Sequence, residues 1–173
     1  DRTVTVADTD QRIYGAEANI TVPVVEQFTV GGTLSYTRGQ YKDSSNEWRE
    51  LNALQISPVK GTVFGEWNDG NGNSLRVQTL AIKGSNKAYN DSLEATYNAN
   101  VRPNTATKIK GYAVMDVIAN AKVGPGTLSF GVYNVWNTDY KTVYSQAVVP
   151  VYGAISSLPA QGRTYGLSYS VKY

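Results

Sequence analysis

The chain closes, over residues 162–173, on an alternation that leaves few choices of structure. From Tyr165 onward the odd positions are Tyr165, Leu167, Tyr169, Val171 and Tyr173, and the even positions are Gly166, Ser168, Ser170 and Lys172. A period of two puts alternate side chains on opposite faces of a strand, here one apolar and one polar. The stretch is long enough to cross a bilayer, for which a tilted strand needs roughly 9–11 residues. A strand of a soluble β-sandwich can show the same alternation, so the rest of the chain has to choose.

The same period recurs along the chain. Residues 2–7 alternate, and a tight turn follows at 8–10. Residues 12–23 set Tyr14, Ala16, Ala18, Ile20 and Val22 against Glu17, Asn19 and Thr21, and Pro23 closes them. Residues 28–40 set Phe28, Val30, Leu34 and Tyr36 against Thr29, Thr33, Ser35 and Thr37. Further strands are predicted over 60–68, 73–83, 110–123 and 127–137. Leu80 and Ile82 make 73–83 the least regular of them. This gives about eight antiparallel strands, with no helix predicted.

The connections sort by length. With Tyr173 placed at the bottom, the turns around 24–26, 69–72 and 124–126 are short and lie at the bottom. The connections 41–59, 84–109 and 138–161 are long and lie at the top; the turn at 8–10 is the exception. Aromatic residues of apolar parity also sort by height. Phe28, Trp67 and Tyr173 fall near bottom ends, and Tyr14, Tyr36, Trp136 and Tyr165 near top ends. Short turns at one rim, long loops at the other and two aromatic girdles are the layout of a bacterial outer-membrane barrel. A soluble sandwich gives no reason for that sorting.

Composition fits this reading. Mean hydropathy is −0.34 and no run approaches 18 apolar residues, which excludes a helical membrane protein but not a barrel. A net charge of +2 gives no case for nucleic acid as a partner. The sequence opens abruptly on Asp1 in strand-like residues without a signal peptide, so a processed or partial chain is expected.

Catalytic chemistry is not expected. Without histidine or cysteine, Ser-His-Asp and Cys-His catalysis and the usual zinc sites are absent. Residues 69–73 begin like a calcium loop, but Leu80 stands where the bidentate Glu is needed, so they are read as a hairpin turn. Gly124-Pro125-Gly126 lacks the third glycine and following helix of a phosphate loop. Glu47 and Glu50 sit in a polar connection and are read as solvated. No metal site and no covalently bound cofactor is expected.

Residues 128–140, Leu-Ser-Phe-Gly-Val-Tyr-Asn-Val-Trp-Asn-Thr-Asp-Tyr, resemble the penultimate-strand pattern of TonB-dependent outer-membrane receptors. Tyr14-Gly15-Ala16-Glu17, Ile56-Ser57-Pro58, Gly111-Tyr112 with Asp116, and the closing run from Gly162 to Tyr173 match in order. Together they extend the resemblance over nearly the whole chain. The stretch 139–146 and the run 162–167 look most like ferric-siderophore receptors of the aerobactin type.

The resemblance implies a 22-stranded barrel with a plug in its lumen, of which residues 1–173 would supply the C-terminal third. The plug, which contacts the TonB complex, is not among these residues. The transported ligand would be a ferric siderophore of hydroxamate or citrate-hydroxamate type, and the location the Gram-negative outer membrane, in contact with its lipid. An anionic ferric chelate calls for Arg or Lys for charge and Tyr or Trp for flat contact. The long-loop rim offers Trp48, Arg49, Tyr89, Tyr97, Arg102, Tyr140, Tyr144, Gln146 and Tyr152, with Tyr144 and Gln146 inside the most receptor-like stretch. Glu17, Asp116, Asn120, Ser168, Ser170 and Lys172 are expected to line the lumen or meet the plug. The alternatives are a self-contained eight-stranded outer-membrane barrel with a structural or adhesive role, and a soluble sandwich.

Overall fold

A computed structural model describes residues 10–43, 45–86 and 108–171. The expected strand at 2–7, most of the turn at 8–10, and Tyr89, Tyr97, Arg102, Lys172 and Tyr173 lie outside the described residues.

The strands are β1 (Gln11–Val25), β2 (Phe28–Lys42), β3 (Trp48–Glu50), β4 (Lys60–Asn68), β5 (Ser74–Ile82), β6 (Tyr112–Val123), β7 (Gly126–Tyr133) and β8 (Thr164–Val171). They form one antiparallel sheet in the order β1-β2-β4-β5-β6-β7-β8, with β3 paired to the upper end of β2. Each long strand pairs with its neighbour in the chain, which is an up-and-down meander. β1 and β8 stand at opposite ends of this order, so the described sheet is not closed into a barrel.

Register makes the faces uniform. Residues directly opposite in an antiparallel ladder share a face. Ala18 pairs with Leu34, Leu34 with Gly61, Gly61 with Ala81, and Ala81 with Ala113. Lower down, Phe28 pairs with Trp67, Trp67 with Leu75, Leu75 with Ala119, Ala119 with Phe130, and Phe130 with Leu167. The apolar parity of every long strand therefore falls on one side of the sheet. A one-residue slip anywhere would reverse a strand. This apolar side is uncovered: Ile20, Val63 and Leu167 are 64%, 63% and 71% exposed. So much bare aliphatic surface has no place in water and suits a lipid-facing wall.

The opposite side carries a polar ladder. Arg76 Nη1 donates to Glu66 Oε2 at 2.9 Å, and Arg76 Nε to Gln78 Oε1 at 3.0 Å. Asn120 Nδ2 donates to Ser74 Oγ at 3.0 Å, and Ser129 Oγ to Asn120 Oδ1 at 2.6 Å. The Arg76 guanidinium also lies 3.9 Å from the Phe64 ring centroid. That ring covers Gly31, where a Cβ would come within 2.6 Å of it. Leu80 and Ile82 belong to this side too, which is why 73–83 alternates poorly.

The lower turns are short, as expected: 26–27, 69–73 and 124–125. Gly124 opens its two-residue hairpin at φ +57°, a conformation glycine adopts without strain. In the 69–73 turn the Asp69 carboxylate accepts the backbone N–H groups of Asn71 at 2.7 Å and Asn73 at 3.0 Å. That is a self-capped turn rather than a calcium loop.

The structure departs from the sequence reading in several places. Pro23 does not end β1; it pairs with Thr29, and a register shift before Val25 absorbs the irregularity. β7 stops at Tyr133 rather than 137, because Asn134 and Asn137 both take φ near +52°. Trp136, 56% exposed, therefore lies beyond the strand. The expected loop at 41–59 contains the end of β2 and all of β3. The expectation of no helix is also corrected: the 138–161 connection holds α1 (Val143–Ala147), α2 (Val149–Tyr152) and a 3₁₀ turn at Ala154–Ser156. Helices this short carry no readable period. Their local signals are Thr142, whose Oγ1 caps the Ser145 N–H at 3.1 Å, and Pro150 in the first turn of α2.

Candidate functional site

The buried side chains gather at the upper rim, where the long connections meet. Ala53, Ile109 and Ala147 form a small core with Val143 against it, one residue each from the 51–59, 83–111 and 134–163 connections. Leu51, Val148 and Val149 are buried as well. A cleft of about 310 Å³ opens where β2 leaves β4 and takes up β3. Arg38, Glu50, Ile56, Pro58 and Lys83 are among the residues that line it.

Polar contacts lock the rim. The Gln146 side chain accepts the Lys110 N–H at 2.8 Å and donates to the carbonyls of Lys110 at 3.1 Å and Lys141 at 2.8 Å. Tyr140 stacks on Tyr112 with ring centroids 4.4 Å apart. Buried Asn134 anchors the start of the 134–163 connection. Its N–H donates to Asp116 Oδ1 at 3.0 Å, its Oδ1 accepts from Thr138 N–H at 2.8 Å, and its Nδ2 donates to the Thr138 carbonyl at 2.9 Å.

The candidate ligand residues divide accordingly. Gln146 and Tyr140 are tied into the rim. Tyr144 and Tyr152 project from the same pair of helices and are 69% and 64% exposed. Trp48 and Arg49 lie next to each other on β3, so they occupy opposite faces. Arg49 shares the face of Tyr41, with Nε 2.9 Å from Asp43 Oδ2 and Nη2 3.0 Å from Glu47 Oε2. The Glu47 N–H and the Arg49 guanidinium together hold the Asp43 carboxyl below the usual carboxylate range. Trp48 shares the face of Lys42 and of the lipid-side parity. Glu50, read as a solvated loop carboxylate, instead pairs with Arg38 and accepts from Gln40 Nε2 at 3.1 Å.

Sequence reasoning missed Asn134, Lys110 and the Arg12–Gln40–Glu50 ladder. The two asparagines at 134 and 137 were the available signal for a capped turn. Among the described residues no three acidic side chains come together as a metal site.

No family model matches the chain. Curated relatives do. The chain is 28% identical over its whole length to the ferric aerobactin receptor of Escherichia coli, covering 22% of that protein. It is 25% identical over 95% of its length to the rhizobactin receptor of Rhizobium meliloti (strain 1021), covering 21% of it. Among solved structures the copper transporter OprC superposes on 91% of the chain with a TM-score of 0.69, at 20% identity and over 23% of its own length. The chain has the fold of part of the OprC barrel and is similar in sequence to siderophore receptors. It spans about a fifth of the length of the curated relatives it matches. Within such a barrel the bare apolar side of the sheet is the outer wall and the polar ladder faces the lumen. The fold class read from the sequence holds, and the relatives are receptors rather than enzymes.

Proposed function

We propose that the chain is the C-terminal part of an outer-membrane receptor for energy-dependent uptake of a ferric siderophore of hydroxamate or citrate-hydroxamate type. The observation that carries this is the match over the whole chain to a ferric aerobactin receptor, supported by the rhizobactin receptor. The sheet supports the membrane part of the reading, with its one-sided apolar wall, short lower turns and built-up upper rim. In the whole protein the two outer edges of the described sheet pair with further strands of a 22-stranded barrel, since an unpaired edge is not tolerated in lipid. A plug domain outside residues 1–173 fills the lumen and contacts the TonB complex.

On this reading the rim collects the ferric chelate. Tyr144 and Tyr152 offer exposed rings, Arg49 stands on the inward face within its ion pairs to Asp43 and Glu47, and Gln146 and Tyr140 hold the platform. Tyr89, Tyr97 and Arg102 are candidates for the same role from the sequence alone and lie outside the described residues. A strain lacking the receptor gene tests the assignment on single ferric siderophores as sole iron source. Growth on aerobactin-type chelates should require the restored gene. Growth that is independent of the gene on every hydroxamate chelate would remove the substrate assignment.

A further inference from the structure

The outer wall changes character just above its upper tyrosines. Ala16 pairs with Tyr36, Tyr14 with Arg38 and Arg12 with Gln40; on the other edge of β2, Gln40 pairs with Glu50 and Lys42 with Trp48. Arg12, Arg38, Lys42 and Trp48 therefore occupy the same face as Ile20, Leu34 and Tyr36. They sit rungs higher and look away from the lumen.

These side chains form one assembly. The Arg12 guanidinium carbon lies 4.1 Å from the Trp48 ring centroid, and Lys42 Nζ lies 5.6 Å from the same ring. Arg12 donates from Nε and Nη2 to Gln40 Oε1 at 2.9 and 2.6 Å. Gln40 is buried, so the neutral amide fixes the guanidinium without cancelling its charge. Arg38 pairs with Glu50, and Lys42 Nζ is 3.7 Å from Asp10 Oδ2. Arg12 has no carboxylate partner among the described residues.

We propose that this ladder binds the phosphate of a lipid in the outward-facing leaflet, with Arg12 and Lys42 as the phosphate-binding cations and Trp48 as an anchor at headgroup level. The proposal rests on the outer-membrane reading above. Among the described residues, three cations against two carboxylates give the cluster an excess of positive charge. Its height is that of the headgroups, since it borders the upper edge of an apolar wall on the lipid side. Tryptophan and tyrosine favour that interface, and basic side chains there attract lipid phosphate. A guanidinium fork matches phosphate geometry, and the aromatic ring under it keeps the fork flat against the wall.

The full-length protein, purified in detergent, is titrated with bisphosphorylated lipid A, with fully dephosphorylated lipid A and with inorganic phosphate, and bound lipid is counted by native mass spectrometry. Bisphosphorylated lipid A should bind, and the dephosphorylated lipid should bind about tenfold more weakly. The double variant Arg12→Gln with Lys42→Gln should lose a similar factor, and Lys60→Gln, on the lumen face, should not. Equal binding by wild type and the double variant, equal binding of both lipids, or displacement by inorganic phosphate at equal concentration would each overturn the site. Heat-modifiable migration confirms that each variant is folded. Absence of the wild-type protein from the outer-membrane fraction would instead sink the outer-membrane reading itself, and the lipid site with it.

Discussion

Gln146 treats Lys110 as a neighbouring strand would: its side-chain amide accepts the Lys110 N–H at 2.8 Å and donates back to the Lys110 carbonyl at 3.1 Å. One side chain thereby fastens the connection carrying α1 to the segment that leads into β6. Gln146→Ala should cost about 1 kcal/mol, the net worth of such bonds near water. It should also speed amide exchange at Lys110 several-fold. Gln146→Glu keeps the acceptor and loses the donor, so it should fall between the two. Hydrogen exchange on the full-length protein reads both, and unchanged exchange at Lys110 in Gln146→Ala would refute the latch.

The two faces of β4 give a sharper test of orientation. Val63 lies on the bare apolar side and Thr62 on the polar side, where its hydroxyl is 2.9 Å from that of Thr33. Val63→Arg should destabilise the full-length protein in lipid by about 2–4 kcal/mol, the cost of a charge on a lipid face near the midplane. Thr62→Arg should cost distinctly less, because it enters the lumen. Denaturant midpoints in lipid vesicles measure both, and equal losses would mean the faces are misassigned.

Asn134 carries the turn where β7 ends. It makes hydrogen bonds through its N–H, Oδ1 and Nδ2, is buried, and sits at φ +52°. Asn134→Ala should cost about 2 kcal/mol or more, from lost bonds and a left-handed backbone that alanine tolerates poorly. Asn134→Gly restores the backbone freedom but not the side-chain bonds, so it should recover part of the loss. Thermal unfolding of the two variants separates the contributions.

The lower turn at 69–73 should show in the acid limb of stability. The Asn73 side chain, with the N–H groups of Asn73 and Asn71, lowers the Asp69 pKa. A folded-state pKa below the unfolded one stabilises above the unfolded value, and the benefit fades as pH falls through the folded value. The stability gap between wild type and Asp69→Asn should therefore be full at pH 7 and close as pH drops below the ordinary aspartate range. A gap that is constant down to pH 2 would show that the charge does not matter.

The sequence by itself determined the sheet. Alternation at Tyr14 to Val22, Phe28 to Tyr36 and Tyr165 to Val171 fixes which side of each strand is apolar. Short turns at Gly124 and Asp69 force antiparallel neighbours. These are local facts, since side-chain parity and turn chemistry depend on residues close in the chain. The resemblance to receptor barrels was legible for the same reason.

The rim was decided by tertiary structure. Nothing local in Gln146 names Lys110 as its partner, because the two lie 36 positions apart and meet only once three connections share the core of Ala53, Ile109 and Ala147. The short helices at 143–152 form on that support, being too short to hold themselves in water. Trp48 and Arg49 were indistinguishable in sequence as polar-loop candidates. Only the pairing of β3 with β2 turned Arg49 toward the lumen side and Trp48 toward the lipid side, because strand register assigns faces and register is set by a partner strand.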